Sequence, residues 1–184
     1  MAFHPGEKQV SMKHILSPQM MNGLLTNVQD DDLQPNAVDV RVDKMFRLKD
    51  ETFVITDKEK THRGSEEIKP DSRGMFCLEP GVYEIIMENI VTIPQGYAGW
   101  VITRSTLNRN GCHITSGLYD SGYQGVMAGL LHVAHGPAAI EKGARVGQFL
   151  FFESETLGMY DGDYGIGTEH DAGYADNQTF GGEF

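Results

Sequence analysis

G-W-V-I-T-R-S-T-L-N-R-N-G-C-H-I-T-S-G-L-Y-D-S-G-Y-Q-G, residues 99–125, is the stretch whose reading decides the fold. It opens as an apolar strand, Trp100-Val101-Ile102, and then sets Arg104, Ser105, Asn108 and Arg109 within six positions. Gly111 interrupts it. A second short strand, His113-Ile114-Thr115, leads into Gly117-Leu118-Tyr119-Asp120, and Ser121-Gly122 turns the chain before Tyr123. Short apolar runs bounded by glycines read as strand, turn and strand. One carboxylate is thus held at a tight turn, a few residues from a donor-rich loop. Cationic and hydroxyl donors suit phosphate oxygens. A lone carboxylate beside them can bind a metal or take a proton from water.

Working outward toward the N-terminus, Val82 to Val91 is a β-rich run between the Pro80-Gly81 turn and Pro94. Phe53-Val54-Ile55 is a short strand, and Asn36-Ala37-Val38-Asp39-Val40-Arg41-Val42 alternates, with Asp39 and Arg41 on one face. Residues 57–73 are charged and carry Gly64, Ser65, Pro70 and Ser72, so they read as a surface excursion. Asp30-Asp31-Asp32 reads as a solvated acidic turn, because adjacent carboxylates without partners repel and face water. Ser17-Pro18 predicts an N-cap and first helical turn, the start of one short helix within residues 11–25.

Toward the C-terminus, Val126 to His135 continues as a strand. Strand geometry puts His132 and His135 on opposite faces, which argues against a zinc pair. Residues 140–149 form a turn into a strand that carries Arg145 and Gln148, and Leu150-Phe151-Phe152 closes the core strands. From Gly158 the chain is rich in glycine and tyrosine. That change divides it into a β-domain, residues 1–157, and a flexible C-terminal arm, residues 158–184. Many short strands between Gly/Pro turns, with one helix, predict an all-β sandwich or barrel.

The motifs resemble those of the dUTPase and dCTP deaminase superfamily. R-S-T-L-N-R-N-G (104–111) resembles its second signature and S-G-L-Y-D-S-G-Y-Q-G (116–125) its third. P-N-A-V-D-V-R-V-D-K-M-F-R-L (35–48) resembles the first, in its deaminase-branch form. I-E-K-G-A-R-V-G-Q-F (140–149) resembles the fourth, and T-F-G-G (179–182) the glycine-rich fifth, without its usual Arg. The resemblance implies a distorted jelly-roll β-barrel and a homotrimer with sites at subunit boundaries.

It also implies site roles. Asp120 is the candidate general base. Arg104, Ser105 and Gln148 are candidates for holding phosphates, with Thr106, Arg109 and Asp39 as further candidates. Backbone groups around Ser116, Gly117 and Tyr119 would read a uracil edge, because a strand end offers alternating N–H and C=O groups. Tyr123 would pack under a deoxyribose, and Phe180 would stack on the base as a lid. Mg²⁺ would be held mainly by substrate phosphates and water, with Asp39 as its candidate protein ligand.

The chemistry implied is hydrolysis of dUTP to dUMP and pyrophosphate. The deaminase branch relies on a glutamate ten residues after the Asp, where this chain has Leu130, and a leucine moves no proton. Its His-Arg before the Asp is replaced by Gly117-Leu118, the dUTPase form. No HxE…PCxxC pattern is present, which excludes a zinc deaminase. The alternatives are a dCTP deaminase, mono- or bifunctional, and a non-catalytic nucleotide-binding regulator. Tyr119, where an aliphatic residue is commoner, leaves a dTTP-accepting pocket conceivable.

Composition agrees with this reading. The 184 residues suffice for one domain with a core. A net charge of -11 argues against nucleic acid or an anionic membrane as partner, but permits a small phosphorylated substrate with a cation. No apolar run approaches the ~18 residues of a membrane span. Cys77 and Cys112, with no CxxC, read as reduced thiols of a cytoplasmic protein.

Overall fold

The computed structural model describes residues 23–174, so the helix expected to start at Ser17-Pro18 lies outside the described residues. In chain order the strands are β1 (Val38–Leu48), β2 (Val54–Ile55), β3 (Lys60–Thr61), β4 (Ser65–Ile68), β5 (Met75–Leu78) and β6 (Gly81–Thr92). They continue as β7 (Tyr97–Thr103), the helical turn α1 (Ser105–Arg109), β8 (Cys112–Thr115) and β9 (Leu118–Tyr119). The last are β10 (Gln124–Val133), β11 (Ala138–Glu141) and β12 (Arg145–Glu153).

One eight-stranded antiparallel sheet dominates, in the order β8-β10-β6-β1-β12-β7-β9, with β4 also on β1. It curls around a single large cluster that includes Val40, Met45, Tyr83, Ile85, Met127, Phe149 and Phe151. Alternation explains the burial: in β8 Cys112 and Ile114 are buried while His113 and Thr115 are exposed. β5 and β11 form a separate pair, as do β2 and β3. The architecture is the expected all-β distorted jelly-roll barrel.

Three local expectations are revised. The excursion at residues 57–73 lies at the surface as expected but contains β4, which pairs Met45 with Ile68 and Leu48 with Ser65. The donor-rich loop after Thr103 is a helical turn, Ser105–Arg109. The acidic run is not wholly solvated. Asp32 is fully buried, because Arg41 reaches it from β1 with Nε at 3.1 Å and NH2 at 2.6 Å. That hydrogen bonding holds the Arg41 guanidinium above its ordinary value, against the opposing effect of burial.

Residues 158–174 run back along the turn that follows β9. The Tyr160 N–H donates to the Ser121 carbonyl at 2.7 Å and the Ile166 N–H to the Gln124 carbonyl at 2.8 Å. The far end is anchored by the Tyr174 hydroxyl, which donates to Glu84 Oε1 at 2.5 Å, with its ring against Phe46.

Candidate functional site

β7 positions both halves of the candidate site. Its end at Thr103 delivers Arg104 and, in α1, Ser105, Thr106 and Arg109. Ser105, Thr106 and Arg109 are exposed and Arg104 is half-buried. Near the other end, Gly99 pairs with Tyr119 of β9, and Asp120 follows directly.

Around Arg104 lies a buried polar network. Asp39, in β1, is fully buried. Its register partner across β12 is Gln148, whose Nε2 donates to Asp39 Oδ1 at 3.1 Å. Oδ2 lies 3.2 Å from Arg104 Nε and 3.6 Å from Arg145 NH1, yet accepts no hydrogen bond among the described residues. Arg104 NH1 donates to the Arg145 carbonyl at 3.2 Å, and Arg145 NH1 donates to the Asp31 carbonyl at 2.6 Å. Two guanidinium groups thus face one buried carboxylate, and Arg145 NH1 also lies 3.5 Å from Asp31 Oδ2; the planar N–H forks suit an anion's oxygens. Asp39 pairs with these two arginines, while Arg41 on the same strand pairs with Asp32.

Asp120 is exposed and makes no ion pair among the described residues. It borders a cavity of about 480 Å³ together with Tyr97, Ser121 and residues 154–160. A second cavity, of about 370 Å³, is walled on one side by Gly117, Leu118, Tyr119, Tyr123 and Ala128. Tyr160, Tyr164 and Asp171 form its other wall. β9 ends its sheet, so its outer edge has no strand partner among the described residues. An apolar cavity of this size with a few backbone polar groups suits a small planar ring.

The side chains of the β9 region are mostly engaged. The Ser116 hydroxyl donates to the Gly117 carbonyl at 2.9 Å and accepts from the Val101 N–H at 3.3 Å. The Tyr119 hydroxyl donates to the Ala128 carbonyl at 3.0 Å, and the Tyr123 hydroxyl to the Val126 carbonyl at 2.7 Å. Burial pushes both phenols well above their ordinary values. Neither therefore acts as a base near neutral pH. Leu130, in β10, faces Glu84 of β6, and Glu84 is engaged by Tyr174. His132 stacks on His113 across the sheet at 4.4 Å, a face-to-face arrangement unlike that of two metal ligands. Among the described residues no group of three His, Cys, Asp or Glu could hold a metal.

Of the candidates read from sequence, Arg104 and Gln148 meet at Asp39, while Gly117, Tyr119 and Tyr123 meet at the smaller cavity. Phe180 lies outside the described residues. Sequence reasoning did not single out Tyr160, Tyr164 and Asp171, although all three wall the smaller cavity. Their only signal was a glycine-and-tyrosine composition, which says nothing about where the segment lies. It also left out Arg145, the second cation on Asp39, although the residue stands in the fourth motif.

A family model described as dCTP deaminase-like matches residues 12–154. A probable deoxyuridine 5′-triphosphate nucleotidohydrolase of Halobacterium salinarum is 34% identical over 143 residues, covering 74% of this chain and 85% of its own. A dUMP-forming dCTP deaminase of a Nocardioides species is 32% identical over 126 residues, covering 65% and 66% of the two chains. The crystal structure of 2′-deoxycytidine 5′-triphosphate deaminase from Agrobacterium tumefaciens superposes with a TM-score of 0.62 at 16% identity. That match covers 78% of this chain and 49% of the other, a likeness of fold.

Proposed function

The chain belongs to the dCTP deaminase-like family, and from that premise we propose that it is a dUTP diphosphatase, hydrolysing dUTP to dUMP and pyrophosphate. The observation that carries this reading is the contrast between two positions. Asp120 is an exposed carboxylate without an ion-pair partner among the described residues, and position 130 is an aliphatic side chain. A free carboxylate can take a proton from water, whereas Leu130 cannot move one to or from a pyrimidine ring.

Asp120 accepts a proton from a water molecule whose oxygen attacks the α-phosphorus in line. The bond from that phosphorus to the β-phosphate oxygen breaks, and pyrophosphate leaves. Arg104, Ser105 and Gln148 hold phosphate oxygens, with Thr106 and Arg109 at the rim. Backbone groups around Ser116, Gly117 and Tyr119, in β9 and just before it, read the uracil. Tyr123 supports the sugar side, and Phe180 closes over the base.

The donor set fits a divalent ion held by the substrate rather than by a protein cage. We take this ion to be Mg²⁺, which keeps most of its ligands as water and phosphate oxygens. Asp39 would be its candidate protein ligand, although Oδ2 lies 3.2 Å from Arg104 Nε and 3.6 Å from Arg145 NH1. When bound, the ion lowers the charge of the triphosphate. Asp120 and Arg104 lie toward opposite ends of β7, which supports sites shared between subunits of a homotrimer. Two free thiols and no disulfide suit the cytoplasm.

One observation favours a second reading, deamination of dCTP. Asp171 puts a buried carboxylate in the wall of the smaller cavity. Its Oδ2 already accepts from the Gly165 N–H at 2.6 Å, and its Oδ1 contacts His170 Nδ1 at 2.9 Å.

The deciding experiment incubates the full chain with dUTP, dCTP and dTTP plus Mg²⁺ and assays pyrophosphate and ammonia separately. Pyrophosphate from dUTP without ammonia from dCTP is expected. Ammonia from dCTP overturns the choice in favour of deamination, and binding without turnover favours a regulatory protein.

A further inference from the structure

The β2–β3 hairpin stands apart from the main sheet, and both of its strands are exposed. Side chains join it to residues 158–174, the segment that lies along the turn after β9. Lys60 Nζ meets Asp163 Oδ2 at 2.5 Å, and the ring of His62, directly after β3, meets that of His170 edge-to-face at 5.0 Å. Phe53, just before β2, also packs on His62, at 6.0 Å.

His170 is the centre of this contact. Its Nδ1 is 2.9 Å from Asp171 Oδ1, and its ring meets those of Tyr164 at 4.7 Å and Tyr174 at 5.8 Å. Tyr164 and Asp171 wall the smaller cavity, so His170 touches two residues of that wall. The other oxygen of Asp171 accepts from the Gly165 N–H at 2.6 Å, which ties the carboxylate to the backbone beside Tyr164.

The charges around the two imidazoles do not balance. Asp171 faces His170, and Asp163 lies within electrostatic reach of both rings. Lys60 holds the Asp163 carboxyl below its ordinary value, and His62 and His170 add to that effect. Against these two carboxylates stands Lys60. Arg63 and Glu169, the exposed chain neighbours of the two histidines, offset each other. Glu84 is taken up by the Tyr174 hydroxyl, on the far side of that ring. With both imidazoles neutral, the cluster is therefore short of one positive charge. One proton on the pair supplies it, whereas a second would set two cations with ring centres 5.0 Å apart.

We infer that His62 and His170 form a proton-operated latch, which fastens the β2–β3 hairpin to the wall of the smaller cavity as the pH falls below neutral. Histidine is the side chain that changes charge in the range of about pH 5–8. The fastened state binds a proton more tightly than the open one, because only there do the carboxylates of the segment face both rings. By linkage it is favoured toward the lower end of that range and lost as the pH rises through it. The charged members other than Asp171 are exposed or half-buried, so the gain is the modest one of a surface ion pair. Its effect on a bound pyrimidine rests on the nucleotide reading above, but the latch itself does not.

The test compares the full chain with His170→Gln and His62→Gln. Amide hydrogen exchange at Gly165 and Ile166, corrected for the intrinsic effect of pH, reads the latch directly. Protection should be about two- to fivefold higher at pH ~6 than at pH ~8 in the unaltered chain, with β6 and β10 unchanged. His170→Gln should abolish the difference, and His62→Gln should abolish most of it. Affinity for deoxyuridine, which has no phosphate to titrate, should follow the same trend. Protection that does not vary with pH in the unaltered chain overturns the inference. A full pH effect in His62→Gln also overturns it, because the hairpin would then take no part. His62 is exposed, so that variant keeps the test open if His170→Gln does not fold. If protection follows pH as expected but deoxyuridine does not bind, the latch stands and the nucleotide reading of the smaller cavity falls.

Discussion

Asp120 and Arg104 sit toward opposite ends of one strand. Tyr119, immediately before Asp120, pairs with Gly99 near the start of β7, and Arg104 follows the last residue of β7. At ~3.3 Å per residue, Gly99 and Arg104 are about 17 Å apart along the strand. The carboxylate and the guanidinium that serve one substrate are therefore expected to come from different copies of the chain. Asp120→Asn should lower kcat by about 10²–10⁴-fold with binding kept, and Arg104→Ala should weaken binding. Mixed oligomers of the two variants should recover activity that neither has alone, because some sites combine two intact halves. Native mass spectrometry verifies mixing. No recovery in verified mixed oligomers would place both groups in one protomer's site.

The pairing of Asp32 with Arg41 gives a prediction about stability. Asp32 is fully buried, and the Arg41 side chain is 14% exposed. Removing one partner leaves the other charge buried and unpaired, which costs about 3–5 kcal/mol. Asp32→Ala and Arg41→Ala should each lower stability in urea by that order. The double variant should lose much less than the sum, because neither charge is stranded. Additive losses would mean the two residues act independently.

The same pair shows where sequence reading ends. Asp30-Asp31-Asp32 is locally a set of repelling charges, and nothing within the run says that one is buried. The burial depends on β1 bringing Arg41 over it, and the register of β1 against β12 shifts between Val40 and Arg41. Motif spacing named Arg104, Gln148, Asp120 and Tyr119, and the structure sets Arg104 and Gln148 on Asp39, Asp120 at the larger cavity and Tyr119 in the wall of the smaller one. It could not locate Tyr160 or Asp171. Their placement is set by backbone contacts between residues 158–174 and the turn after β9, between segments about forty residues apart in the chain. The division at residue 157 rests on composition, yet the residues just beyond it help to wall both cavities.

Alkaline pH offers a check on the packing of the smaller cavity. Burial raises the phenols of Tyr119 and Tyr123 above the ordinary value of ~10. A raised pKa in the folded state means the stabilisation is complete below pH ~10 and is lost as pH rises toward the folded value. The protein should therefore lose stability above pH ~10, with ionised-tyrosine absorbance from these residues appearing together with unfolding. Tyr119→Phe should soften that alkaline loss, at some cost near neutral pH from the unpaired Ala128 carbonyl. Free titration of both tyrosines near pH 10 in the folded protein would show that they are not buried.

Tyr174 ties the segment after residue 157 to the barrel, and its hydroxyl bond to Glu84 is charge-assisted. Tyr174→Phe keeps the ring against Phe46 and removes only that bond. A hydrogen bond to a charged group contributes about 1.5–3 kcal/mol. Because Glu84 is left half-buried and can regain water, the lower figure is expected, a fall in Tm of about 3–6 °C. The more telling readout is local. Hydrogen exchange at the Tyr160 and Ile166 N–H groups should speed up in this variant, since both bond to the turn that the segment covers. Exchange in β6 and β10 should stay as slow as before. If exchange at residues 160 and 166 is unchanged while Tm falls, Tyr174 stabilises the sheet alone, and the wall of the two cavities is held by its backbone bonds and glycine contacts without it.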